Sequence, residues 1–159
     1  MRVRYETFTV NKRFPLTISR GTTAQTTNLW LSIEADGIEG WGEASPFSIG
    51  TYRESTETLL EAAQQVTTLL GPLHPTQRYR VEQLLKEHHI PSALRAAVDI
   101  ALHDWLGKRT GLPLWKLWGL ERESIVPTTV TIGINPPDVA RQRVRDWLAL
   151  TGARALKVK

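Results

Sequence analysis

Residues 128–159 read TTVTIGINPPDVARQRVRDWLALTGARALKVK, and the fold class of the chain follows from this stretch. The β-branched, threonine-rich run Ile125–Ile134 predicts a strand, and the Pro136-Pro137 pair breaks it and begins a helix. The last residues, Ala153–Lys159, again have strand character. A strand, a helix and a second strand at this spacing predict a right-handed crossover between two parallel strands. The segment therefore predicts the first unit of an α/β domain.

Two lysines, Lys157 and Lys159, occupy alternate positions at the end of the second predicted strand. Successive side chains of a strand point to opposite faces, so both amines are expected on one face, ~6.6 Å apart along the strand at ~3.3 Å per residue. Ammonium groups at that spacing repel each other, which favours the neutral, basic form of at least one of them. The pair is a candidate for proton transfer, although exposed strands also carry lysine simply for solubility.

The amino-terminal part of the chain predicts a small antiparallel sheet. Residues 2–10 have the character of a strand, and the turn-rich stretch Asn11–Thr26, which contains a proline and a glycine, is expected to be a loop. The segments Asn28–Ala35 and Ile38–Glu43 flank an Asp-Gly dipeptide, which fits the positive backbone angles of a tight hairpin. Three strands are therefore expected, with a flexible first loop.

A second loop, Ser45–Tyr52, precedes the first predicted helix. Thr51 and Glu54 have the spacing of a capping box at the start of this helix. The apolar residues that would share its buried face are Leu59, Ala63, Val66 and Leu70. A helix amino terminus is therefore expected near Thr51.

Two further helices are predicted before residue 120. One runs from about Thr76 to His88, and the other begins at Pro91-Ser92 and ends near Gly111. The expected buried stripe of the latter is Leu94, Ala97, Val98, Ala101, Leu102 and Trp105. Its polar residues Arg95, Asp99 and His103 are expected on the opposite side.

Composition excludes several function classes. The 159 residues contain no cysteine, so a disulfide framework, a thiolate nucleophile and a cysteine zinc site are not available. No run approaches membrane-spanning length and the first residues lack a signal-peptide pattern, so we expect a cytoplasmic protein with no membrane partner. The net charge of +4 is spread among acidic residues, and its densest cluster, Arg141 to Arg145, fits a solvated helix face. We therefore expect no nucleic-acid partner.

Several segments match one family in the same order. They are GWGEASPF (Gly40–Phe47), ALRAAVDIALHDWLGKRTGLPLWKLWG (Ala93–Gly119), and TTVTIG (Thr128–Gly133) followed by LKVK (Leu156–Lys159). Together they resemble the enolase superfamily, specifically its mandelate racemase/muconate lactonizing enzyme type. With ISRG (Ile18–Gly21) added, the combination is most similar to dipeptide epimerases of the L-Ala-D/L-Glu type.

The resemblance implies an α+β architecture in two parts. Residues 1–120 would form an enolase-like capping domain, a three-stranded antiparallel sheet plus helices. Residues 121–159 would begin a TIM-type (β/α) barrel and stop after its second strand. Because a complete barrel takes about 250 residues, we expect the chain to be a fragment of the family's enzyme.

The resemblance also implies a chemistry and its residues. Enolase-superfamily sites abstract a proton next to a carboxylate with a lysine or histidine base assisted by Mg²⁺. Lys159 would be the acid/base, and Lys157 would face the substrate carboxylate and favour the neutral form of its neighbour. Thr129 would contact substrate, and Arg20, in the flexible first loop, would pair with a glutamyl carboxylate through two parallel N–H groups. Loop Ser45–Tyr52 would be a second specificity loop.

The sequence leaves three functions open: a dipeptide epimerase, another enzyme with the same lysine motif, and a non-catalytic remnant. The family's acidic metal ligands would lie downstream of Lys159, so this chain is expected to bind no Mg²⁺ and to be inactive alone. Its full-length parent would be an isomerase that binds Mg²⁺, with a homo-oligomer as one expected assembly. The substrate would be a dipeptide or another small carboxylate. A muconate cycloisomerase or an o-succinylbenzoate synthase would use the same lysine motif. A non-catalytic remnant would keep only the capping domain, as a binding or oligomerisation module.

Overall fold

The computed structural model describes residues 1–159, with every side chain except that of Ile49. Its strands are β1 (Arg2–Ile18), β2 (Gly21–Ala35), β3 (Ile38–Ala44), β4 (Ser48–Ile49), β5 (Tyr52–Arg53), β6 (Thr129–Ile132) and β7 (Ala155–Val158). Its α-helices are α1 (Thr56–Leu70), α2 (Arg78–Glu87), α3 (Ser92–Thr110), α4 (Leu114–Leu117) and α5 (Pro137–Thr151). No helix of the described chain is long and apolar enough to cross a membrane.

The chain forms two compact units. The first, called here the sheet unit, contains Met1–Val10 and Thr26–Leu120; the second, the strand-pair unit, contains Asn11–Gln25 and Glu121–Lys159. The architecture is α+β, a three-stranded antiparallel sheet with helices followed by a short parallel strand-helix-strand segment, as the sequence predicts.

The three-stranded sheet has the order β1-β2-β3, with β2 and β3 antiparallel and Ala35 paired with Ile38 across the turn. Asp36 and Gly37 form that turn with φ values of 54° and 72°. Positive φ at both positions is what a tight hairpin of this kind requires, and Asp and Gly tolerate it. The predicted Asp-Gly hairpin is confirmed.

The prediction of a loop over Asn11–Thr26 is wrong. β1 continues to Ile18 and β2 begins at Gly21, so the segment is the far end of a long hairpin that turns at Ser19 and Arg20. Proline normally interrupts a strand because it lacks an N–H, but β1 lies at the edge of the sheet, where Pro15 is tolerated. The threonine-rich stretch then follows its β propensity. We call residues 11–25 the distal hairpin.

The core of the sheet unit lies between one face of the sheet and helices α1 to α3. β2 contributes Leu29, Leu31 and Ile33, which alternate along the strand as period-two burial requires. The predicted buried stripes of α1 and α3 are confirmed at every position. His103, which we expected on the opposite side of α3, is buried instead, with its ring 5.4 Å from that of Trp118.

Two glycines of β3 let α3 pack directly on the sheet. A Cβ added to Gly42 would overlap the carbonyl oxygen of Ala97, and one added to Gly40 would overlap that of Ala101 and lie 2.7 Å from the backbone nitrogen of Trp105. The obstructing atoms belong to the α3 backbone, which cannot rotate out of the way. The GWGEA motif therefore brings strand and helix backbones closer than side chains would permit.

The amino terminus of α1 differs from its prediction. Ser55, not Thr51, is the N-cap: its Oγ accepts from the Thr58 N–H at 3.3 Å, and Thr58 Oγ1 accepts from the Ser55 N–H at 2.8 Å. The reciprocal pair is a capping box with threonine in the acceptor role. The predicted partner, Glu54, is buried and interacts elsewhere in the unit.

In the strand-pair unit, β6 and β7 are parallel and α5 connects them. The predicted parallel pairing is confirmed. β6 is shorter than the predicted Ile125–Ile134, because Ile125 and Val126 are exposed and outside the ladder. Thr129 pairs with Ala155, and Thr131 with Lys157.

Candidate active site

The carboxyl ends of β6 and β7 lie at one edge because the two strands are parallel. Residues paired across a parallel ladder share a face, and the face alternates along each strand. Thr129, Thr131 and Lys157 therefore share one face, and Val130, Ile132 and Leu156 occupy the other. The structure thus brings a hydroxyl residue and a lysine side by side near the carboxyl ends of the strands.

Lys159 follows the last residue of β7. Its N–H donates to the carbonyl oxygen of Ile132 at 3.0 Å, so the ladder continues for one more hydrogen bond. The alternation that places Lys157 on the threonine face extends to Lys159 on that account. Both lysines are exposed. The backbone thus places Lys159 two residues beyond Lys157 at an exposed strand end.

The distal hairpin contacts the loop that follows β6. The Ile134 N–H donates to the carbonyl oxygen of Thr17 at 2.8 Å. Thr17 Oγ1 in turn lies 2.8 Å from Thr22 Oγ1 on the other strand of the hairpin. Arg20 lies between these two threonines in sequence, at the turn, and is exposed. Arg20 therefore lies at the turn of a hairpin within the strand-pair unit, and not in an irregular loop.

A cavity of about 250 Å³ lies beside this contact and was missed by sequence reasoning. It is lined by residues from the distal hairpin, β6, the loop after β6, and α5, among them Phe14, Thr131, Gly133, Arg143 and Trp147. The Arg143 guanidinium lies 3.7 Å from the centre of the Phe14 ring, and the Trp147 and Phe14 rings meet edge to face at 5.2 Å. Arg143 is thus half-buried, whereas we expected a solvated face. The alternation of Lys12, Phe14 and Leu16 would have indicated this wall if the segment had been recognised as a strand.

The residues present do not make a magnesium site. Mg²⁺ is held in proteins by carboxylate and other oxygen ligands, usually with one or two carboxylates. Among the residues that the structure describes, no group of three or more His, Asp or Glu side chains could hold a metal ion. The strand ends offer amines and hydroxyls, which can move protons and bind carboxylates.

The remaining predicted segment, Ser45–Tyr52, belongs to the sheet unit. It contains β4, which pairs with β5 through Ile49 and Tyr52 as a very short hairpin. The Phe47 carbonyl accepts from the Glu54 N–H at 2.8 Å, so the segment is closed at its base. Its role as a specificity loop stays a prediction.

The sheet unit identifies the class of protein to which the chain belongs. The family model described as "Mandelate racemase / muconate lactonizing enzyme, N-terminal domain" matches residues 2–119. The chain therefore belongs to the mandelate racemase/muconate lactonizing enzyme family of the enolase superfamily.

Within that class the chain is similar to dipeptide epimerases. It is 43% identical over 162 residues to a hydrophobic dipeptide epimerase of Roseobacter litoralis, covering 100% of this chain and 44% of the relative. It is 34% identical over 164 residues to an L-Ala-D/L-Glu epimerase of Bacteroides thetaiotaomicron, covering 100% and 40% respectively. The chain thus spans less than half the length of these relatives.

Solved structures of dipeptide epimerases are also similar to this chain. A dipeptide epimerase from Enterococcus faecalis, complexed with Mg and L-Leu-L-Tyr, superposes with a TM-score of 0.87 at 27% identity, covering 99% of this chain and 44% of that one. A dipeptide epimerase from Methylococcus capsulatus, complexed with Mg and L-Arg-D-Lys, gives 0.85 at 34% identity, covering 98% and 44%.

Proposed function

We propose that residues 1–120 are the capping domain, and residues 121–159 the first strand-helix-strand of the barrel, of a dipeptide epimerase. The observation that carries the proposal is the 43% identity to an epimerase over 162 residues, a match that covers 100% of this chain. The active sites of such barrels lie at the carboxyl ends of the strands, where the lysines are. The part of the relatives that this chain does not span would complete the site.

Lys159 is the base of the proposed reaction. Its neutral amine takes the proton from the substrate α-carbon, and the electron pair of the broken C–H bond delocalises into the adjacent carboxylate. The Lys157 ammonium lies on the same face and offers a positive charge to that carboxylate. Return of a proton from the opposite face inverts the centre, and the group that delivers it would lie in the part of the relatives that this chain does not span. The magnesium ligands would lie there too, and the metal would stabilise the negative charge that develops on the carboxylate.

Two substrate classes compete within this proposal. A hydrophobic dipeptide is supported by the identity to the Roseobacter litoralis enzyme. An L-Ala-D/L-Glu substrate is supported by the identity to the Bacteroides thetaiotaomicron enzyme and by Arg20 at the turn of the distal hairpin, because a guanidinium matches a planar carboxylate. Thr129 would contact either substrate from the lysine-bearing face, although it begins β6, whereas Thr131 pairs with Lys157 nearer the carboxyl end.

A chimera tests the proposal. Residues 1–159 are joined to the downstream part of the Roseobacter litoralis epimerase, and solvent deuterium incorporation at the α-carbon is measured with a hydrophobic dipeptide and with L-Ala-L-Glu. We expect exchange with at least one of them. Lys159→Ala should reduce exchange from one face by about 10²- to 10⁴-fold, the usual contribution of a general base.

Lys116→Ala, which removes an exposed lysine of α4, is the matched control and should leave exchange unchanged. Circular dichroism would verify that each variant is folded. If the folded Lys159→Ala chimera still exchanged from both faces, Lys159 would not be the base. If the folded chimera incorporated deuterium into neither dipeptide, residues 1–159 would be better explained as a non-catalytic capping domain.

A second enzyme activity has a specific observation in its favour. The chain is 29% identical over 151 residues to an o-succinylbenzoate synthase of Geobacillus stearothermophilus, covering 91% of this chain and 39% of the relative. That reaction class, and muconate cycloisomerisation, would draw on the same lysine for a different outcome. Assaying the chimera for o-succinylbenzoate formation distinguishes the two activities.

A further inference from the structure

The residues on either side of Gly133 make backbone hydrogen bonds to two different segments of the chain. The carbonyl of the preceding residue, Ile132, accepts from the Lys159 N–H at 3.0 Å, and the N–H of the following residue, Ile134, donates to the Thr17 carbonyl at 2.8 Å. One bond joins the loop to the lysine-bearing strand, and the other joins it to the distal hairpin. Gly133 itself is buried.

Residue 133 is glycine because there is no room for a side chain, and not because its backbone angles require glycine. Its φ lies outside the left-handed region, so another residue could adopt the same backbone angles. A Cβ at this position would lie 2.8 Å from the Thr17 oxygen, 3.0 Å from the Thr17 nitrogen and 3.1 Å from Leu16 Cδ1. The two shortest of these distances are to backbone atoms, so relief requires the hairpin to move. Glycine is used here for close approach of two backbones.

The distal hairpin is attached at a second point. Phe14 packs against Trp147 of α5 and lies under the Arg143 guanidinium. The Thr17–Thr22 hydroxyl contact then ties the two strands of the hairpin together on either side of Arg20. Arg20 is three residues from Thr17, the residue that Gly133 contacts. This contact therefore restricts where the Arg20 backbone can lie.

We propose that Gly133 is a positioning residue, which docks the distal hairpin through Thr17 and thereby fixes Arg20 relative to the strand pair that carries Lys157 and Lys159. The docking is independent of any activity, whereas its consequence for substrate rests on the proposed function.

Amide hydrogen exchange of the full 159-residue chain tests the docking. In the wild type, the Ile134 amide should be protected like that of Lys159. Gly133→Ala should accelerate exchange at Ile134 by about ten- to a hundredfold, the range expected when a methyl group is forced into a packed contact, and leave Lys159 nearly unchanged. Gly71→Ala is the matched control, because its added Cβ would meet no atom nearer than 3.5 Å. An unprotected Ile134 amide in the wild type, or no effect of Gly133→Ala, would overturn the proposal.

A double-mutant cycle in the chimera tests the consequence for Arg20. With L-Ala-L-Glu as substrate, Gly133→Ala and Arg20→Ala should each raise KM by about tenfold with a smaller change in kcat, and the double variant should be no worse than either alone. Additive effects on KM would show that Gly133 does not act through Arg20. A wild-type chimera without exchange activity would contradict the proposed function, and the amide exchange would still decide the docking.

Discussion

Glu54 holds the amino terminus of α3 from 39 residues away along the chain. Its carboxylate accepts from the Ala93 N–H at 3.2 Å and the Ser92 hydroxyl at 3.1 Å, and it also accepts from the Tyr52 hydroxyl. α3 has no side-chain cap of its own, since Pro91 occupies its N-cap position. A buried carboxylate at this end satisfies free N–H groups and complements the helix dipole. One residue thereby links the start of α1 to the start of α3.

Removing this carboxylate should destabilise the sheet unit. We expect Glu54→Ala to lower the free energy of unfolding by about 2 kcal/mol, because buried helix donors lose their partner, and Glu54→Gln to cost about half as much, because the amide oxygen still accepts. Urea denaturation measures both. Glu61→Ala, at an exposed position of α1, is the control. A Glu54→Ala variant as stable as this control would refute the capping role.

β3 and α3 pack so closely that their backbones are in direct contact. Gly40 and Gly42 lie one pleat apart on the same face of β3, and each faces a carbonyl of α3 with no room for a side chain. Trp105 of α3 is almost fully buried, and its indole N–H donates to the Ala35 carbonyl at 3.0 Å. Helix and strand are therefore held at a fixed separation and register.

A single methyl group at this contact should separate the two elements. Gly42→Ala is expected to lower the free energy of unfolding by about 3 kcal/mol or more, because overpacking against a backbone carbonyl cannot be relieved by a rotamer change. Gly71→Ala, at an unobstructed helical end, should be nearly neutral. Thermal and urea unfolding of the purified variants provide the measurement. Equal stability of the two alanine variants would mean that strand and helix are less tightly apposed than described.

For the molecule as a whole, burial is unequal between the two units. Among the described residues, every fully buried apolar side chain except Ile132 belongs to the sheet unit. α5 has no buried residue, and Val158 of β7 is 70% exposed. Because apolar burial is the main source of stability, the sheet unit has the larger share of it.

Amide exchange across the whole chain should reflect this inequality. We expect the amides of α3 to exchange only on global unfolding of the sheet unit, and those of α5 to exchange substantially faster, through local opening. Mass spectrometry of peptides from each helix makes the comparison within one sample. Equal protection of α3 and α5 would contradict the assignment of stability to the sheet unit.

Local patterns predicted most of the elements. The Asp36-Gly37 hairpin, the buried stripes of α1 and α3, and the parallel pairing of the last two strands all follow from turn chemistry and periodicity. These signals lie within a few residues of the structure that they specify. The alternation of Lys157 and Lys159 likewise follows from strand geometry, and it identified the candidate site.

Contacts between distant residues had to come from the tertiary structure. Glu54 fits a local capping box by spacing, yet it caps a helix 39 residues away; Gly133 is unremarkable in sequence, yet it meets Thr17. The distal hairpin contains a proline, and only its place at a sheet edge makes a strand possible there. The sequence by itself determined most of the elements and the spacing of the lysine pair, because those depend on local backbone preference. Which backbones touch, and so where Arg20 is held, was decided by tertiary packing, because space between distant segments leaves no periodic trace in the chain.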